Sequence, residues 1–279
     1  MSGESPVVVL RAPGDAAGAR RIRFVSAPPE PRLVVRTYDQ PRAVWAIETP
    51  EGDRPGTDSI AGAESGDIVV TLLLPQREGK ERRTPPAETE EGVLWTARRD
   101  NAAVQWRPGK AVVLSDVASR PAIVAALIDF AFLDGELRSM ETFLQKAEPR
   151  AEADLPAAHR LARSDRVRWA EMARLHEEVA GARLKFARLE PQFLSGSRAL
   201  SPEGRSWFSR LCRRGRVEDR LEAASDRLEA LEDFYEAANQ RISDYRWYRE
   251  GHLLETGIIG ILVVECLLML GDIFVHLSR

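Results

Sequence analysis

The sequence predicts an α+β chain: a small β-rich N-terminal domain followed by an α-helical coiled-coil hairpin and one C-terminal transmembrane helix. Three observations carry this reading. Short β-branched and aromatic runs bounded by Gly and Pro fill residues 5–114. Apolar residues then recur at spacings of three and four between Ser119 and Tyr245. Finally, residues 256–277, TGIIGILVVECLLMLGDIFVHL, leave no polar face on a helix. The expected divisions are a β-rich head at 1–115, an amphipathic linking helix at 116–148, an antiparallel coiled-coil hairpin at 156–252 and a membrane anchor at 253–279.

The strand segments are PVVVL at 6–10, RIRFV at 21–25, RLVVRTY at 32–38, AVWAI at 43–47, DIVVTLLL at 67–74, GVLWT at 92–96, AAVQW at 102–106 and KAVVL at 110–114. Two polar stretches of mixed charge, at 50–66 and 75–91, read as loops. Ser119 then offers a helix cap with Pro121 in the first turn, and Ile123, Leu127, Phe130, Leu133, Leu137, Met140 and Leu144 form one stripe. That helix is expected to end near Lys146, before the break EPRAEADLP.

A second helix carries Met172, Leu175, Val179, Ala182, Phe186, Leu189 and Phe193, which alternate by three and four and define a heptad seam. Pro191 and the segment SGSRALSPEG interrupt it. From Val217 a third seam reads Leu221, Ala224, Leu228, Leu231, Tyr235, Ala238, Ile242 and Tyr245, so one helix is expected from about 216 to 277. Antiparallel pairing of the second and third helices would place the hairpin tip near residues 191–215, roughly 50 Å above a bilayer.

At about 1.5 Å per residue the terminal apolar run spans roughly 33 Å, enough for a hydrocarbon core about 30 Å thick. No signal peptide is visible in MSGESPVVVLRAPGD, so the expectation is a tail-anchored, single-pass protein of the cytoplasmic (inner) membrane with its N-terminal bulk in the cytoplasm. Tyr245, Trp247 and Tyr248 read equally as an interfacial aromatic belt or as coiled-coil packing. Glu265 and Asp272 lie seven residues apart, on one face of the span. Charged groups at that depth cost at least ~2.5 kcal/mol each, so they face protein or water. Carboxyls bonded between helices of an oligomer, an ion path lined by Glu265, and pairing with a partner's basic group all satisfy that requirement.

The 279 residues include 40 Lys plus Arg against 43 Asp plus Glu, a net charge of −3, with 44% hydrophobic and 30% charged residues. This balance excludes a polybasic tail protein and a disordered acidic chain. Richness in Ala, Arg and Glu leads to the expectation of a high-GC bacterial source. The basic residues nevertheless cluster: Arg198, Arg205, Arg210, Arg213, Arg214 and Arg216 surround Trp207 and Phe208, a mixture suited to phosphates and bases. The plainer reading is a solvated surface paired with Glu218, Asp219 and Glu222. A second group, Arg160, Arg163, Arg166 and Arg168, would suit anionic headgroups.

Enzyme signatures are absent. His159, His176, His252 and His276 are scattered without an HExxH context, and Cys212 and Cys266 have no ligands at zinc spacing. In REGKERRT, Glu81 stands where a phosphate loop needs Ser or Thr after Gly79 and Lys80. Cys212, beside Arg213 and Arg214, is a weak candidate for a thiol of lowered pKa. No catalytic residue, cofactor or metal is therefore expected.

AAVQWRPGKAVVLSDVASRPAIVAALIDFAFLDGELRSMETFL, a coiled-coil hairpin, and RLEALEDFYEAANQRISDYRWYREGHLLETGIIGILVVECLLML follow one another over roughly residues 100–275. This order resembles the family named for "required for meiotic nuclear division", a domain of unknown function. The resemblance implies a Leu-Glu pair opening a C-terminal span with an acidic residue inside it, here Leu254, Glu255 and Glu265. In mitochondria it would imply an oligomeric inner-membrane protein that holds ribosomes; for bacterial relatives it implies no established activity. A long helix entering a membrane is also similar to CorA-type magnesium channels, but the chain lacks their Gly-Met-Asn motif and second span.

The function expected is a non-enzymatic, anchored scaffold that homo-oligomerises through coiled coil and span and presents its head to a cytosolic protein partner. The alternatives are an ion-conducting or membrane-perturbing assembly lined by Glu265 and Asp272, and a tether for RNA or ribosomes through Arg205, Arg210, Arg213, Arg214 and Arg216.

Overall fold

The computed structural model describes residues 19–26, 34–49, 68–73, 95–160, 166–195 and 199–277. Strands β1 (Ala19–Val25), β2 (Val34–Tyr38), β3 (Val44–Thr49), β4 (Ile68–Leu73), β5 (Trp95–Arg99), β6 (Ala102–Arg107) and β7 (Lys110–Leu114) precede helices α1 (Arg120–Arg160), α2 (Arg166–Ser195), α3 (Pro202–Arg214) and α4 (Val217–Leu277). The α+β class holds. The expected strand at 6–10 lies outside the described residues, and the one expected at 92–96 is β5, three residues further on.

The chain divides into two compact units. The first takes the residues up to Leu144 together with Ala182–Arg227. Its seven strands form one sheet in the order β2-β3-β1-β4-β7-β6-β5, with only the β4–β7 pair parallel. Alternation decides the faces. Ile22, Phe24, Val44, Ala46, Ile68, Val70, Leu72, Val104, Trp106, Ala111 and Val113 are all buried. Arg21, Arg23, Val69 and Thr71, the intervening residues of β1 and β4, are half-buried. Pro108 and Gly109 close the β6–β7 hairpin, where Gly109 takes a φ of 78° that side chains resist.

The first part of α1 covers the buried face. Phe132 stacks on Tyr38 at 4.1 Å between ring centroids, and Phe130 meets Trp95 and Trp106 edge-on at 5.6 and 5.1 Å. Polar pins fasten the β2 edge to the same helix. Arg36 Nη2 and Tyr38 Oη donate to the buried Asp129 carboxylate at 2.6 and 2.8 Å, and Arg42 bonds Glu136. Burial and the Asp129 charge hold the Tyr38 hydroxyl well above its ordinary pKa, so it stays a donor.

The second unit comprises Gln145–Gly181 and Leu228–Arg279. Here α1 corrects the expected break. The helix runs through Pro149 and Pro156 to Arg160 because Ala147, Ala151, Asp154 and Ala158, spaced four, three and four, continue its buried stripe. Asp154 is buried and accepts from Arg168 Nε at 2.9 Å and from Tyr235 Oη at 3.5 Å. Arg168 also donates to the Ala153 carbonyl.

The seam residues Met172, Val179, Phe186, Leu221, Leu228, Leu231 and Ile242 are all buried. α2 is not the sole partner of α4, since α1 engages α4 in each unit: through Asp134 and Glu141 with Arg220 in the first, and through Asp154 with Tyr235 in the second. The segment expected as a hairpin tip contains a further helix, α3. Ser201 caps it, its hydroxyl accepting from the Gly204 amide at 3.1 Å, and Pro202 occupies the first turn.

The expected membrane anchor is overturned. Among the described residues no helix is long and apolar enough to cross a membrane. The tail-anchored, single-pass placement in the cytoplasmic membrane falls with it.

Candidate functional site

Two surfaces and one buried cluster carry the residues singled out in the sequence. The first surface is the end of α4. Ile258, Ile259, Ile261, Leu262, Val263 and Val264 are between 53% and 66% exposed, and Leu254, Leu267 and Met269 between 63% and 71%. At about 100° per residue these positions point in every direction around the axis. Exposure therefore surrounds the helix and is not confined to a stripe. Glu265 is exposed among these residues, while the side chain of Asp272 lies outside the described residues. The aromatics ahead of the run divide: Tyr245 packs edge-on against Trp169 at 5.6 Å, whereas Trp247 and Tyr248 are exposed.

The second surface is basic and belongs to the first unit. One side of α3 buries Gly204, Trp207, Phe208 and Leu211. Arg205, Arg213, Arg214 and Arg216 are exposed and Arg210 half-buried. The expected mixture of arginines with accessible aromatics is thus not present, because Trp207 and Phe208 are core residues. Arg205 Nη1 donates to the Leu200 carbonyl at 2.9 Å and Arg210 Nη1 to that of Arg98 at 2.9 Å. Arg216, with a φ of 48°, pairs with Asp219 at 2.7 Å, and that pairing is the solvated-surface reading for one residue of the group. Of the other arginine group, Arg168 serves Asp154, Arg163 lies outside the described residues, and so do the side chains of Arg160 and Arg166.

The cluster lies between α1 and the start of α4 within the first unit. Asp134, 3% exposed at its side chain, accepts from Arg138 Nε at 2.8 Å and Arg220 Nη1 at 2.6 Å. Arg220 also grips both oxygens of Glu141 at 2.7 and 3.0 Å. A cavity of about 390 Å³ opens beside it, lined by Glu141, Gly215, Arg216, Asp219, Arg220, Arg227 and two alanines of α4. Because each charge here already has a partner of opposite sign, the cluster serves as a clamp and offers no free acid or base. Cys212 is no activated thiol. Burial, and then the Asp134 charge, push it up to about 12 despite the neighbouring arginines.

Sequence reasoning missed Asp134, Asp154 and Arg220, since residue type alone does not separate a buried charge from a solvated one. The apolar stripe would have found two of them: Asp134 follows Leu133, and Asp154 sits at a core position of the α1 stripe.

No protein-family model and no curated protein matches the chain. Among solved structures it is similar to one described as the structure of the full-length CmaX protein, at 11% identity and a TM-score of 0.37, covering 87% of this chain and 83% of that one. A likeness of that size carries no argument about fold or function. Nothing in these comparisons bears on the resemblance to the meiotic nuclear division family.

Proposed function

We propose that the protein is a non-enzymatic scaffold that assembles with copies of itself through the apolar end of α4 and presents its sheet-bearing unit to a partner. One observation carries the reading: the exposed apolar side chains that surround α4 from Leu254 to Met269. Covering nine such groups, each more than half exposed, is worth on the order of 10 kcal/mol per chain. Leaving them in water is therefore the disfavoured state.

The occupant follows from the distribution. A flat partner surface covers one side of a helix, whereas this helix is apolar on all sides. Several neighbouring helices are needed, and copies of the same segment supply them with matching length and chemistry. Glu265 would then sit at contacts between copies, where a carboxyl hydrogen-bonds across helices. Replacing Ile261 and Val264 by Lys tests the assembly. Sedimentation equilibrium should show the wild-type oligomer reduced to monomers, and an unchanged oligomer would remove the basis of the proposal.

A further inference from the structure

Independently of that assembly, we infer that the exposed side of α3 and the adjoining edge strand β5 bind a nucleic-acid strand through its phosphates without reading its bases. The exposed side of α3 presents Arg205, Ser209 and Arg213 four residues apart, a row with steps of about 5–6 Å. Arg214, also exposed, extends it at the C-terminal end. Strand β5 is the last strand of the sheet on that side, and α3 lies against it. Arg99 Nη1 donates to Ser206 Oγ at 2.7 Å, and Arg98 is exposed beside it. Among the described residues of α3, β5 and the turn that follows β5, the acidic groups are Glu203 and Asp100, the latter 3.5 Å from Arg99.

Guanidinium groups alternating with serine hydroxyls match the donors that contact phosphate oxygens. A protein partner would require an apolar centre to its interface, and the exposed side of α3 has no large apolar side chain. Base stacking requires an accessible ring, but Trp207 and Phe208 are 1% and 2% exposed. What remains is a row of hydrogen-bond donors, Arg205, Ser209 and Arg213 extended by Arg214, that suits the phosphates of a backbone. Binding of that kind is steeply salt-dependent and indifferent to sequence.

The test is fluorescence anisotropy of the full chain with labelled twenty-nucleotide oligouridylate and oligoadenylate over a range of salt. The two probes should bind with similar affinity. The Arg213→Gln, Arg214→Gln variant, which alters only exposed side chains, should bind about tenfold more weakly at low salt, with a log–log salt slope shallower by about 1.4. Arg174→Gln with Arg188→Gln removes the same charge from exposed positions of α2 and should leave the slope unchanged. An unaltered slope in the α3 variant, an equal loss in the α2 variant, or a strong preference for one oligonucleotide would overturn the inference. Tighter binding of a polyglutamate peptide than of either oligonucleotide would overturn it in favour of an acidic protein partner.

Discussion

Asp134 shows how one residue ties three segments together. Its carboxylate is shared by Arg138 of the same helix and Arg220 of α4, and its charge helps hold the nearby Cys212 thiol protonated. Removing one member of a buried pair leaves the other uncompensated. Asp134→Ala should therefore cost about 3 kcal/mol in denaturant unfolding, and a loss below about 1 kcal/mol would show that water already screens the pair. Two buried acids give an alkaline signature. Cys212 is raised by burial and Asp134 from 9.0 to about 12, and Tyr235 by burial and Asp154 from 10.0 to about 12. The folded state binds these protons more tightly than the unfolded one. Their stabilisation is complete below pH 9 and is lost as the pH rises towards 12. The urea midpoint should thus hold to about pH 9 and then fall, with Cys212→Ala removing the earliest part of the fall; a midpoint level to pH 11 would contradict this.

Helix α4 shows which elements could be read from sequence. Its start at Val217 and the whole seam to Ile242 were legible, because large apolar residues at heptad spacing leave little choice of face. The extent of α1 was not, since alanines and one aspartate continue its buried stripe and two prolines suggest a break. α3 was missed because its buried side is only Gly204, Trp207, Phe208 and Leu211 in a stretch dominated by arginine and serine. The same comparison revises the role of the seam. Leu228 and Leu231 were expected to hold an oligomer together, yet both are buried within the single chain. Leu228→Ala should cost about 2–5 kcal/mol of folding stability. Light scattering at protein concentrations where the variant stays folded should find the assembly intact; dissociation without destabilisation would return the seam to the interface between copies.

At the scale of the molecule, the described residues contain buried ion pairs and two exposed surfaces. Ion pairs with buried carboxylates join α1 to β2, α2 and α4, and among the described residues no cluster of His, Cys, Asp and Glu is arranged to hold a metal ion. What is exposed is the apolar end of α4 and the arginine row of α3. The placement of function was legible only in part. Composition located both segments, but it took side-chain burial to remove the aromatics from the basic one. The expected membrane span was not met, since no helix among the described residues is long and apolar enough to cross a membrane. The most direct test is the mass of the full chain by light scattering, compared with a version ending at Gly251. A defined oligomer that becomes monomeric on truncation is the predicted result, and an equal state of association in both would contradict assembly through α4.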